Sequence, residues 1–183
     1  MVSGDDAEAA LRFRESALAH LDDVYTLARY LLGNVADAED ATQECFLRAF
    51  KHFETFRGGA VKPWLFAILR NVCRAEWTRR GSAPTPSETA DDGAAAPLWA
   101  EHTATPEAAM LRRLDDETIR RLIAALPDEF RETIVLREVS ELSYREIAEV
   151  TGTPVGTVMS RLARGRALLR NAWLAAEQEG APA

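Results

Sequence analysis

Apolar residues recur along most of this chain at the three- and four-residue spacing of an amphipathic helix. From 11 to 32, Leu18, Leu21, Val24, Tyr25, Ala28, Leu31 and Leu32 keep that spacing, and one helix is predicted there. Gly33 supplies a C-terminal stop. Asn34, with Asp37 three residues on, caps a second helix that runs to about Phe53. At about 100° per residue, Ala41, Cys45, Ala49 and Phe53, with Thr42, Phe46 and Phe50 beside them, fill one side of it. Asp40, Gln43, Glu44, Leu47 and Lys51 cluster on the other. A solvated face accounts for that cluster as readily as a docking face, although Leu47 in its middle points to a partner.

The turn FRGGAVK follows, and Pro63 is placed to open a third helix. Leu65, Ile68, Leu69 and Val72 form its apolar stripe, while Ala67, Arg70, Asn71, Arg74, Trp77 and Thr78 fall on a different side. Cations, an amide and an aromatic on one face can hold a nucleic-acid strand by phosphate contact and stacking. An Arg-rich helix end is also favourable through the helix dipole alone.

Residues 81–106, GSAPTPSETADDGAAAPLWAEHTATP, break the pattern. They lack Lys and Arg, and their charges are Glu88, Asp91, Asp92 and Glu101. Too little apolar surface is available there to offset ordering, so this is a linker between domains spanning 1–80 and 107–183. Only Leu98 and Trp99 interrupt it with large apolar groups.

Helical spacing resumes at 107–125 with Met110, Leu111, Leu114, Ile119, Leu122 and Ile123. After Pro127 it continues from Asp128 to Val139. Ser143 and Glu146 then form a capping box for a short helix, Tyr144 to Val150, with Ile147 and Ala148 facing inward. Thr151 and Gly152 make a turn, Thr153 caps the next helix and Pro154 takes its first position. This is the pattern of a helix-turn-helix. Val155, Val158, Leu162, Gly165, Leu169 and Trp173 form the inward stripe of its second helix. Thr157, Ser160, Arg161 and Arg164 lie together elsewhere, as a face able to meet DNA edges and phosphates. The fold class is therefore all-α, as two small helical domains on a flexible linker.

Charge sharpens this picture. The formal total of -7 argues against nucleic-acid binding by the whole surface. From Thr153 to Trp173, however, the charged residues are Arg161, Arg164, Arg166 and Arg170, with no acid. The cationic footprint is thus confined to one helix. Cys45 and Cys73 belong to no metal-ligand cluster and read as buried thiols, and His20, His52 and His102 have no ligand spacing. Neither a metal nor another cofactor is expected, and there is no nucleophile motif or phosphate-cradling Gly loop to support an enzyme. Without a signal peptide or an apolar run long enough to span a bilayer, a cytoplasmic protein with no membrane insertion is expected.

Three stretches together resemble one family. DAEDATQECF at 37–46, FRGGAVKPWLFAILRN at 56–71 and LPDEFRETIVLREVSELSYREIAEVTGTPVGTVMSRLARGRALLR at 126–170 are similar to regions two and four of extracytoplasmic-function sigma factors. The resemblance implies a monomeric specificity subunit of bacterial RNA polymerase. Its partners would be the polymerase core (the clamp helices of the largest subunit, and the flap), promoter DNA and an anti-sigma factor. Asp37, Asp40, Gln43, Glu44 and Leu47 would dock on the clamp helices. Phe56, Arg57 and Lys62 in the turn, with Arg70, Asn71, Arg74 and Trp77 beyond it, would bind and open the -10 element. Thr157, Ser160, Arg161 and Arg164 would read the -35 element, with Arg166 and Arg170 near phosphates. The acidic linker would thread the RNA path of the polymerase. Gly58, Gly59 and Val61 depart from the polar residues usual in the turn, and Met159 and Ala163 depart from the usual residues of the reading helix. A stand-alone repressor, or a decoy that binds only a regulator, would each leave one domain without a role.

Overall fold

The computed structural model describes residues 4–56, 58–79 and 116–180. Every regular element among the described residues is helical, as the all-α expectation requires. The chain divides into two compact units. Residues 81–106, expected to form the linker, with Leu98 and Trp99, and the apolar positions Met110, Leu111 and Leu114 lie outside the described residues.

In the first unit, α1 (Gly4–Ala17), α2 (Leu21–Leu32), α3 (Val35–His52) and α4 (Val61–Arg79) pack around one core. The helix expected over 11–32 is really two, joined by a 3-10 turn at Leu18–His20. No Gly or Pro marks that break, so the periodicity runs through it. Leu18 and Leu21 are exposed, and Phe13 and Ala17 bury in their place beside Val24, Leu27, Ala28 and Leu31.

Gly33 ends α2 in the left-handed conformation (φ 80°), and its N–H donates to the Arg29 carbonyl. Asn34 then caps α3, its side chain accepting from the Asp37 N–H at 2.8 Å. Ala38, Ala41, Cys45 and Ala49 are buried along α3. Their small side chains permit close approach to α2 and α4. Phe50, expected beside that inward side, is half exposed instead. The fourth helix starts at Val61, two residues before Pro63. Pro63 still falls in the first turn, where its missing N–H would have no intrahelical acceptor. Leu65, Phe66, Leu69, Val72 and Cys73 bury below it.

The second unit holds α5 (Asp116–Ala124), α6 (Asp128–Ile134), α7 (Tyr144–Thr151) and α8 (Val155–Gly180). A π-helical turn, Val135–Val139, continues α6, with the Ser140 N–H reaching back to the Val135 carbonyl. The capping box at α7 is complete: Ser143 accepts from the Glu146 N–H, and Glu146 accepts from the Ser143 N–H at 2.8 Å. Gly152 (φ 66°) closes α7, and the Thr153 N–H returns to the Ala148 carbonyl. This terminates one helix and aims the next within three residues. Val158, Leu162, Gly165 and Leu169 are buried along α8, as the stripe predicts. Val155 is exposed and Trp173 half-buried.

Candidate nucleic-acid and docking interfaces

Three groups of residues were predicted from sequence, and the structure treats them differently. On α3, Asp40, Gln43 and Leu47 are exposed together, and Leu47 retains 58% of its surface. Asp37 and Glu44 are half-buried. Asp37 is engaged by the Asn34 side chain, and Glu44 accepts from Arg48 Nε at 2.6 Å. Asp37, Asp40 and Glu44 line one side of a groove of about 290 Å³, with Glu76 and Arg79 of α4 on the other. An exposed aliphatic side chain on the same helix as the carboxylates of Asp40 and Glu44 suits a partner that brings an apolar contact and cations.

The second group surrounds the turn before α4. Phe56 is half-buried, its ring 4.8 Å from that of Trp64 and 6.3 Å from that of Phe53. Phe53 packs edge-on against Phe13 at 5.2 Å, and Phe13 also meets Phe46 and Phe50. The cluster anchors one end of the turn, while Gly58 and Gly59 take left-handed angles (φ 90° and 112°) at its tip. Those angles would strain any other residue. An open cleft of about 620 Å³, lined by Phe53, Glu54, Phe56 and Gly58 with Glu8 and Arg12, lies beside it. Arg57 lies outside the described residues. Lys62 turns away from the cleft: its Nζ is 2.9 Å from Asp23 Oδ1 and 5.7 Å from the centre of the Phe66 ring. Its role here is to tie α4 to α2. Burial pushes the Asp23 carboxyl up, but hydrogen bonds and charge from Lys62 and His20 outweigh it and hold the pKa below its ordinary value. On α4, Asn71 and Arg74 are exposed and Arg70 and Trp77 half-buried, on a side away from the core.

The third group is on α8. Thr157 and Ser160 are half-buried, and Ser160 Oγ donates to the Thr157 carbonyl. Arg164 and Arg170 are exposed. Arg161 and Arg166 are turned inward. Arg161 Nη2 lies 3.2 Å from Glu129 Oε2, and the Arg166 guanidinium donates to Glu138 Oε1 from Nε (3.0 Å) and Nη2 (2.6 Å). All four side chains are at most 20% exposed. The charges of Arg161 and Arg166, both in the expected footprint, are therefore matched within the unit. The phosphate role expected of Arg166 finds no support in this placement.

Sequence reasoning missed Glu129 and Glu138, which lie 32 and 28 residues before their partners. It also missed the aromatic cluster, whose trace was the spacing of Phe46, Phe50, Phe53 and Phe56. Two further arginines hold the unit together. Arg131 donates to the Ala124 and Leu126 carbonyls, capping α5. Arg137 donates to the Leu142 carbonyl and stacks over Tyr144, 5.0 Å from the ring centre, which fixes the entry to α7. Cys45 and Cys73 are buried and not joined in a disulfide. Among the described residues no group of His, Cys, Asp and Glu is arranged to hold a metal, and no helix is long and apolar enough to cross a membrane.

An all-helical chain whose second unit presents a capped helix-turn-helix with an exposed arginine is built as a DNA-binding transcription protein. Comparison with known proteins makes the class specific. The Sigma-70 region 2 family matches residues 17–83, and Sigma-70, region 4 matches residues 116–169. The ECF RNA polymerase sigma factor SigE of Mycolicibacterium smegmatis is 35% identical over 174 residues, covering 92% of this chain and 64% of that protein. The ECF RNA polymerase sigma factor SigW of Bacillus subtilis is 33% identical over 153 residues, covering 81% and 82%. The sigma factor RpoE of Bartonella quintana, solved with the anti-sigma factor NepR, superposes with a TM-score of 0.69 at 27% identity, covering 88% of this chain and 96% of that one. The chain belongs to the ECF RNA polymerase sigma factors, the specificity subunits of bacterial transcription.

Proposed function

We propose that this chain binds bacterial RNA polymerase core in the cytoplasm, directs it to promoters by reading two elements, and is held in check by an anti-sigma factor. Family membership over both units is the observation that carries this. In this reading the domains are 1–80 and 107–183, joined by 81–106. The α3 face around Leu47 docks on the clamp helices of the largest subunit, and the second unit meets the flap. Phe56, Arg57, Arg70, Asn71, Arg74 and Trp77 serve the -10 element. Thr157, Ser160 and Arg164 read the -35 element, with Arg170 near phosphate. The chain performs no chemistry itself: nucleotide addition belongs to the core enzyme.

The anti-sigma partner is supported by the Bartonella quintana relative, which was solved in such a complex. The net charge of -7 also fits a subunit that borrows affinity from the enzyme it rides on. Fluorescence anisotropy with duplex promoter DNA tests this. The free chain is expected to bind weakly and without sequence preference, and the chain with core polymerase tightly and specifically. Tight, specific binding by the free monomer would favour a stand-alone repressor.

A further inference from the structure

The buried seam of α8 consists of Val158, Leu162, Gly165 and Leu169. On a helix turning about 100° per residue, Arg161 and Arg166 fall about 70° to either side of the centre of that seam. Each meets a carboxylate on the element below: Glu129 on α6, and Glu138 on the π-helical turn that continues it. Arg166 lies about 150° around the helix from the side that carries Thr157, Ser160 and the exposed Arg164, so it points away from a groove that this side enters.

Apolar contact is non-directional and leaves a helix free to roll on its seam. Charge-assisted hydrogen bonds from a planar guanidinium, as Arg166 makes to Glu138 from Nε and Nη2, are directional, and the Arg161–Glu129 ion pair at 3.2 Å holds the other flank at a fixed distance. One pair on each flank resists roll in both senses. We infer that Arg161–Glu129 and Arg166–Glu138 clamp the reading helix at a fixed rotation, so that Glu129 and Glu138 are positioning residues for -35 recognition although neither touches DNA. The inference rests on the reading of the second unit as the -35 reader. Side chains that read bases must be held within about 0.5 Å and about 10–20°. A roll of that size withdraws Arg164 from its base or phosphate while the hydrophobic core stays intact.

The test uses holoenzyme on a promoter selected from a library, with the -35 element intact or scrambled, and takes the ratio of the two run-off yields. Glu129→Gln and Glu138→Gln are each expected to lower the ratio about tenfold, the worth of one base contact. The swap Arg166→Glu with Glu138→Arg is expected to restore it. The salt dependence of promoter binding should be unchanged in Glu138→Gln and in Arg166→Gln, whereas Arg164→Ala should reduce the slope by about one. Circular dichroism at the assay temperature checks folding; if a single variant unfolds, the swap decides. Unchanged ratios, a swap that fails to restore, or a lost phosphate in Arg166→Gln would overturn the clamp alone. A wild-type holoenzyme with no -35 dependence would overturn the reading on which it rests, and the clamp with it.

Discussion

At Gly165 α8 packs tightly on α6, and replacing it with alanine sets two effects against each other. A Cβ built there would lie 2.9 Å from Cγ1 and 3.3 Å from Cδ1 of Ile134, and 3.4 Å from Cβ of Phe130. Carbon atoms pack best at about 3.5–4.0 Å. Ile134 is fully buried and Cγ1 is near its backbone, so the side chain cannot swing clear. Overpacking of this kind costs about 1–3 kcal/mol. Alanine in place of a mid-helix glycine returns about 0.8–1.0 kcal/mol. The net expectation is a loss of up to about 2 kcal/mol. Gly156, near the start of the same helix, is exposed with nothing within 4 Å of an added Cβ, so Gly156→Ala should gain stability up to the propensity difference. Urea unfolding of both variants, followed by circular dichroism, measures the contrast. Gly165→Ala should unfold at lower urea than wild type and Gly156→Ala at higher urea, with unchanged slopes. If both variants stabilise alike, the close approach of α8 to α6 is wrong.

Other consequences follow from the same contacts. Leu47→Asp places a charge in the exposed centre of the α3 face; affinity for core polymerase, measured by fluorescence titration, should fall at least tenfold while promoter contacts are untouched, about 1.4 kcal/mol or more. Burial raises the Cys45 thiol to about 12, so at pH 8 about one molecule in ten thousand carries the thiolate; a thiol reagent should label Cys45 only as the protein unfolds, and rapid labelling of the native chain would contradict its burial. The folded-state pKa of Asp23 is lowered, so its contribution is complete above the unfolded value and is lost as pH falls through the folded one. The stability of Asp23→Asn should therefore fall less steeply than wild type on acidification below about pH 4, as urea midpoints at several pH values will show.

Much of the fold was legible because its signals are local. Gly33, Asn34, the Ser143–Glu146 box and Gly152 act within four residues of themselves, and each does what its chemistry dictates. The inward stripe of α8 was equally plain, since Val158, Leu162, Gly165 and Leu169 need only periodicity. The break at Leu18–His20 carries no such signal, and neither does the start of α4 ahead of Pro63. The candidate site was less legible. Composition and spacing place Arg161, Arg164 and Arg166 on one cationic helix, but only the tertiary structure separates an arginine that faces solvent from two that are matched by carboxylates of another helix and its π-helical turn. Lys62 shows the same limit: its partner, Asp23, lies 39 residues away.

As a sigma factor, this chain is expected to give promoter specificity to a polymerase that lacks it. Run-off transcription with purified bacterial core polymerase on a promoter library, with and without the chain, measures this directly. New start sites that share two sequence elements and vanish when the chain is omitted are expected. No new start sites, together with specific duplex binding by the chain alone, would contradict that role.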